Sequence, residues 1–204
     1  MKKSYFLIGG IFIILIAVIL AFCCNERSVD SKILVTVNGV NITQEEAEQR
    51  KQMLQIMNKI YEIWIPEVKE DSDIDVSQFI YSTELKSVTN QLVRNEVVRQ
   101  YLSQKGELLS YDEVRDDTDQ TMSTMLDDDT YKTALESSLK LFQVDQDVFL
   151  MQYSSYVYDV CCVEHAKSLF EADDRYDKNS SQSLDNQFTT FIDSLIQDAD
   201  IIWL

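Results

Sequence analysis

Glycine and proline are nearly missing from this chain, four and one of 204 residues, where average usage would place roughly 24 of the two together. Sandwiches, barrels and propellers need turn residues between many short strands, so those architectures are excluded and long helices become the default reading. Histidine is scarcer still. His165 stands alone, which rules out multi-histidine metal sites and leaves Cys161 or Cys162 with His165 as the one nucleophile arrangement worth weighing. On a helix both thiols share a face with the imidazole, but no third group is evident to orient the ring, so a packed histidine beside two buried thiols is the favoured reading. Glycine-rich phosphate loops and the G-x-S-x-G turn are absent as well. Catalysis therefore has no candidate residue, the chain is not expected to be an enzyme, and no cofactor is called for.

Positive charge is the next shortage, with 18 basic against 35 acidic residues and a net charge of -17. Lys2 and Lys3 are the only charges before Glu26, so the rest of the chain stands at -19 without them. Such a body repels phosphate backbones, which excludes nucleic acid as a partner. Its acids gather at Glu70 to Asp75, Asp116 to Asp119, Asp127 to Asp129 and Asp173 to Asp177. Hard cations want several carboxylate oxygens, yet none of these runs follows the glycine-containing EF-hand loop, so they read as solvated helix ends and no metal site is assigned. Apolar residues, by contrast, make up 45% of the chain. That is enough for a core and assigns the acidity to a solvated surface, not to disorder.

From Tyr5 to Cys24 the chain runs for 20 residues without a charge. A helix of that length, rising about 1.5 Å per residue, just spans a hydrocarbon core of about 30 Å. Lys2 and Lys3 precede this membrane segment and Glu26 follows it, an asymmetry that leaves the N-terminus cytoplasmic and the body outside. A cleaved signal wants small residues at its site, a lipidated cysteine wants one just before it, and here Phe22 precedes Cys23. An uncleaved single-pass anchor is thus the favoured outcome, with lipidation at Cys23 or Cys24 second. The chain divides into an anchor or signal segment, 1–24, and an extracytoplasmic body, 25–204.

The body opens with alternating Ile33 to Val37, an Asn38-Gly39 turn and Val40 to Ile42, a short hairpin. Thr43-x-x-Glu46 is a capping box, and Met53, Leu54, Met57, Ile60, Tyr61 and Trp64 then keep helical spacing up to Pro66, which marks the expected end. An acidic connection, Glu67 to Asp75, leads to a long helix from about Ser77 through Tyr81, Leu85, Val88 and Leu92 to Lys105, stopped by Gly106. Ser110-x-x-Glu113 caps the next helix, toward Leu126, and another spans about Tyr131 to Phe142. Asp145 caps a helix that is apolar almost all round, with Phe149, Tyr156, Val163 and Phe170 in heptad spacing; it should be the central strut, or bury one face and offer the other to a partner. After a polar stretch, Ala172 to Ser183, a last helix from Leu184 leads to Ile201 to Leu204, a strand whose expected partner is the N-terminal hairpin.

The segment VTVNGVNITQEEAEQRKQM, with its strand, Asn-Gly turn and capped helix, resembles the opening of the SurA and PrsA class of extracytoplasmic folding factors. QLVRNEVVRQYLSQKGELLSYDEV is similar to that class's long helix ending in Lys-Gly before a capped helix. SSLKLFQVDQDVFLMQYSSYVYDVCC is similar to its next hairpin of helices, and DADIIWL to its closing strand. The match covers most of residues 33 to 204. Members often carry a glycine where this chain has Gln143 or Val144, and many insert a parvulin-type prolyl isomerase domain where this chain has only Ala172 to Ser183. The resemblance therefore implies a SurA N-terminal-like fold: mainly helical, closed by a small sheet joining the two ends of the body, and following a transmembrane helix. It implies no isomerase.

The function read from this is a membrane-tethered, ATP-independent chaperone or holdase that binds apolar segments of unfolded or exported polypeptides. The alternative is a cell-surface structural or scaffold protein with one dedicated protein partner. Flexible thioethers and amphipathic rings suit surfaces that bind many apolar sequences. Phe149, Tyr153 and Tyr156, at i, i+4 and i+7, are the candidate peptide-binding residues, weighed against ordinary core packing. The missing insertion yields a first prediction. Purified protein added to a proline-containing test peptide is expected to leave the rate of cis/trans exchange unchanged, and any catalysed exchange contradicts the reading.

Overall fold

A tight turn is possible at Asn38-Gly39 because both residues adopt positive φ, 48° and 86°. Two successive left-handed residues match the twist of the strands they join. In the computed structural model, which describes residues 32–68, 80–173, 180 and 182–204, this turn pairs β1 (Ile33–Val37) with β2 (Val40–Thr43) antiparallel. The closing strand β3 (Ile201–Trp203) lies antiparallel on the other side of β1, so the sheet order is β2-β1-β3. Asn38 serves both partnerships. Its backbone N–H donates to the Asp200 carbonyl at 2.8 Å, while its side-chain oxygen accepts from the Asp200 N–H at 2.7 Å. The expected pairing of the two ends of the body is therefore present.

Six helices fill the described sequence between β2 and β3: α1 (Gln44–Val68), α2 (Leu85–Lys105), α3 (Tyr111–Met125), α4 (Asp129–Phe142), α5 (Gln146–Glu171) and α6 (Leu184–Asp198). Their starts follow the sequence signals closely. Thr43 accepts from the Glu46 N–H, Ser110 from Glu113 and Ser183 from Asn186. Asp128 and Asp145 cap α4 and α5 in the same way. The two amides on Asp128, from Tyr131 and Thr130, hold its carboxyl below the ordinary range. Gly106, at φ 73°, ends α2 as expected, with two amide donors turned back onto Leu102 and Ser103.

Two helix boundaries differ from expectation. Helix α1 continues two residues past Pro66, since a proline gives up its own amide donor without forcing the following residues out of helical geometry. Helix α2 begins at Leu85, not near Ser77, and Tyr81 lies in an irregular segment before it. The reason is a side chain: the Asn58 carboxamide donates to the Tyr81 carbonyl at 2.9 Å and accepts from the Tyr81 N–H at 2.8 Å. Those two bonds take up the backbone groups that a longer helix would use. Gln143 is left-handed as well, at φ 55°, and ends α4. The expected membrane segment and the 67–75 connection lie largely or wholly outside the described residues, and among those residues no helix is long and apolar enough to cross a membrane.

Residues Ile33–Leu204 form one compact unit with two cores. The larger gathers Val35 and Val37 of the sheet, Met53, Ile56 and Ile60 of α1, Leu92 of α2, Leu135 of α4 and Phe149 of α5. The smaller joins Val98 and Leu102 at the end of α2 to Ala166 and Phe170 of α5 and to Phe188 and Ile192 of α6. Helix α5 enters the first with Phe149 and the second with Phe170, each phenylalanine almost wholly buried. Full burial of such a side chain contributes about 1.5–3 kcal/mol, so α5 is held from both ends, as a central strut should be.

Between the two cores sits a buried charge. Asp159 of α5 is 1% exposed, and its carboxylate accepts from Arg50 of α1 at 2.7 Å, Arg99 of α2 at 2.5 Å and Asn95 of α2 at 3.1 Å. Arg99 also grips Glu96 at 2.6 Å. From Glu96 the chain of bonds runs through Gln100, which donates to Glu96 at 2.8 Å and to the Val37 carbonyl at 3.2 Å, to Asn38, which donates to Gln100 at 2.6 Å. Burial pulls the Arg99 guanidinium down in pKa, and Asp159 and Glu96 more than offset this, so it ends above its ordinary value. Removing one member of a buried ion network leaves the others uncompensated. Asp159→Asn is therefore expected to cost about 3–5 kcal/mol, measured by urea unfolding, and a loss below about 1 kcal/mol would show that the network carries no weight.

Candidate functional site

The three residues singled out from the sequence do not form a peptide surface together. Phe149 is completely buried in the larger core, so as a contact for a client it is corrected to core: at 0% exposure it has no surface to offer. Tyr153 and Tyr156 are half-buried against that core. Tyr153 stacks on Phe149 with centroids 5.9 Å apart, and Tyr156 meets Tyr81 edge-on at 5.8 Å, with Tyr61 beyond it at 6.3 Å from Tyr81. The guanidinium of Arg50 lies over the Tyr156 ring, 5.4 Å from its centroid. These rings clamp α1, the Tyr81 segment and α5 together.

Open surface on α5 lies one helical step away. Between α3 and α5 runs a cleft of about 390 Å³ walled by Met122 and Leu126 on one side and Leu150 and Met151 on the other. A second cleft of about 230 Å³ adjoins it, sharing Tyr111 and Met151 and reaching across to Glu46, Gln49 and Arg50 of α1 and Gln152 of α5. The two make one trough, mixed at the α3 end, where Arg115, Asp119 and Asp147 stand beside the methionines and leucines, and more polar at the α1 end. Met151, at its middle, is 62% exposed. At the α3 end, Arg115 is tied to Asp112 at 3.1 Å and Asp116 at 2.9 Å. Sequence reasoning chose the aromatic row of α5 as the binding row and not the row of Met151, Tyr158 and Cys162; the signal was the position of Met151 beside Leu150 and three turns of helix before Cys162, on a helix too apolar for one buried face.

A third cleft, of about 570 Å³, lies on the other side of α5, between Val160 and Val163, Ile196 of α6 and the polar Asn90, Gln91 and Arg94 of α2. Its volume falls in the range of ligand sites, but one wall is a row of polar side chains carrying Arg94, with Glu164 opposite. The α3–α5 trough carries charge as well, in Arg115, Asp119 and Asp147, and differs in pairing two methionines with two leucines, adaptable side chains that suit apolar chain segments.

The cysteine and histidine arrangement is also on view. His165 Nε2 faces Glu107 Oε2 at 3.5 Å, an orienting carboxylate that no local pattern disclosed. Burial pushes both the Cys161 and Cys162 thiols up from their ordinary value, the opposite of what an activated nucleophile needs. Among the described residues no group of three or more His, Cys, Asp and Glu side chains could hold a metal ion. Comparison of the chain with protein-family models, with curated proteins and with solved structures finds no match.

The tyrosines carry a pH signature. Burial raises Tyr61, Tyr131, Tyr153 and Tyr156 above their ordinary value, and with the neighbouring Cys162 it pushes Tyr158 up to about 12. In the unfolded chain these phenols lose their protons near pH about 10, while the folded protein still holds them. The unfolded state then binds fewer protons, so stability is intact below that pH and lost as pH rises toward the folded values. Tyrosinate absorbance from these five of the ten tyrosines is expected to appear only together with the loss of helical circular dichroism; ionisation of all ten with helicity intact would contradict this.

Proposed function

We propose that this protein is a membrane-tethered, extracytoplasmic, ATP-independent holdase that captures apolar segments of unfolded or exported polypeptides in the trough between α3 and α5. The observation that carries the reading is Met151, a large flexible apolar side chain standing open at the middle of a cleft whose walls include Met122, Leu126 and Leu150, with Arg115, Asp119 and Asp147 among them. Thioethers rotate at little cost and repack around side chains of different shape, which suits a surface that must accept many sequences. The resemblance of the strand, turn and helix pattern to the SurA and PrsA class supports the same reading, as does the uncharged run from Tyr5 to Cys24 for the tether. In this proposal the acidic surface keeps the loaded complex soluble and contributes little attraction, because Arg115 is already paired within α3.

Burying an apolar client side chain against Met151 is worth about 1.5–3 kcal/mol, so placing a charge there is expected to weaken capture roughly tenfold or more. Met151→Asp should do so in a client-aggregation assay, across several unrelated unfolded clients, while the melting temperature stays near that of the parent because the side chain is exposed. Raised salt should barely change capture by the parent protein. Loss for a single client with others unaffected would favour a scaffold with one dedicated partner, and unchanged capture of every client would remove the trough from consideration.

A further inference from the structure

The polar end of the trough holds two atoms that the fold leaves without partners. Arg50 is 7% exposed, and its Nη2 is spent on Asp159 at 2.7 Å, but its Nη1 is buried and makes no hydrogen bond. Gln152 Oε1 is buried and unpartnered too. Both residues line the same cleft of about 230 Å³. Buried polar groups are almost always paired in folded proteins, so one donor and one acceptor left over in a single cleft call for an explanation. Neither atom is needed to hold the helices: Asp159 secures Arg50 through its other nitrogen, and Gln152 sits on the turn of α5 beside exposed Met151.

What could satisfy both is constrained by charge. The positive charge of Arg50 is already met by Asp159, and Glu46 lines the cleft, so an anion would be opposed by a carboxylate and by the Gln152 oxygen. A cation would meet the guanidinium. The remaining class is a neutral group that carries both an acceptor and a donor. Building on the capture of peptides proposed above, we propose that the polar end of the trough binds a carboxamide of the captured chain, whose carbonyl accepts from Arg50 Nη1 and whose N–H donates to Gln152 Oε1. A main-chain amide supplies this pair at every residue, so recognition is independent of sequence; an Asn or Gln side chain supplies the same pair. Apolar side chains of the client then lie toward Met122 and Leu126 while one amide is held beside α1. Access to the two atoms comes through displacement of Met151, which is unbranched and more than half exposed.

The test uses the full chain in lipid nanodiscs, with empty nanodiscs as blank, and a fluorescent eight-residue peptide of leucine and alanine. Each backbone amide is replaced in turn by an ester, which keeps the carbonyl and removes the N–H. One ester position is expected to weaken binding by roughly threefold to tenfold, the effect of one net hydrogen bond. Gln152→Met should weaken the parent peptide by a similar factor and be indifferent to that ester. A peptide with a single added Gln that binds more tightly, and loses the gain in Gln152→Met, would assign the carboxamide to a side chain and uphold the same chemistry. A flat ester scan overturns the proposal whether or not the variant is stable. So does equal binding of the parent peptide by wild type and Gln152→Met, which would mean that an ordered water satisfies the pair. In both of these cases binding that still depends on Met151 leaves the capture reading standing, whereas no peptide binding by the wild type removes both.

Discussion

The carboxylate of Asp159 constrains everything around it. A charge at 1% exposure is tolerable only where partners replace the water it has lost, and here they come from two other helices, Arg50 on α1 and Arg99 and Asn95 on α2. Because both arginine forks must reach one carboxylate, the three helices have little freedom to slide past one another. The same chain of bonds passes through Glu96 and Gln100 to Asn38, the residue that turns the hairpin and positions β3. Hydrophobic burial brings these elements together, and the polar chain selects the register in which they meet.

That arrangement explains why α5 is apolar nearly all round. It lies against α1, α2, α3 and α6, contributes to both cores, and spends its one interior charge on the network. The large apolar side chains it leaves exposed after this packing are Val148, Met151 and Val160. The trough follows from the same geometry: α3 packs on α5 from one side and α1 approaches from the other, leaving a mixed and a more polar cleft that meet at Tyr111 and Met151. A flexible binding edge is thus carried on a strut whose other faces are held firmly, a division of labour that suits capture of varied chains by a stable fold.

Several features turned on contacts between elements distant in sequence. Tyr81 keeps helical spacing with Leu85 and Val88, and nothing local distinguishes it from them, yet Asn58, 23 positions earlier, binds both of its backbone groups and holds it outside the helix. Phe149 and Met151 are both large and apolar on the same helix, and one is buried completely while the other is 62% exposed. Periodicity ranks the faces of a helix but does not say how many neighbours will cover them.

The sequence by itself determined the helical class, the starts of the helices at Thr43, Ser110, Asp145 and Ser183, the Asn38-Gly39 turn, the stop at Gly106 and the return of Ile201 to the hairpin. These are local choices of backbone geometry and end-capping, each decided by a few adjacent residues. Asp159 was visible only as a single acid between Asp147 and Glu164 in an apolar helix. Tertiary structure alone decided which arginines would pair with it, which apolar residues of α5 would remain open and which polar atoms of Arg50 and Gln152, two residues lining one cleft, would be buried unpartnered. Those outcomes depend on pairings across 60 and 109 positions of chain, and long-range contacts are settled by how whole helices pack, a quantity that no short window of sequence contains.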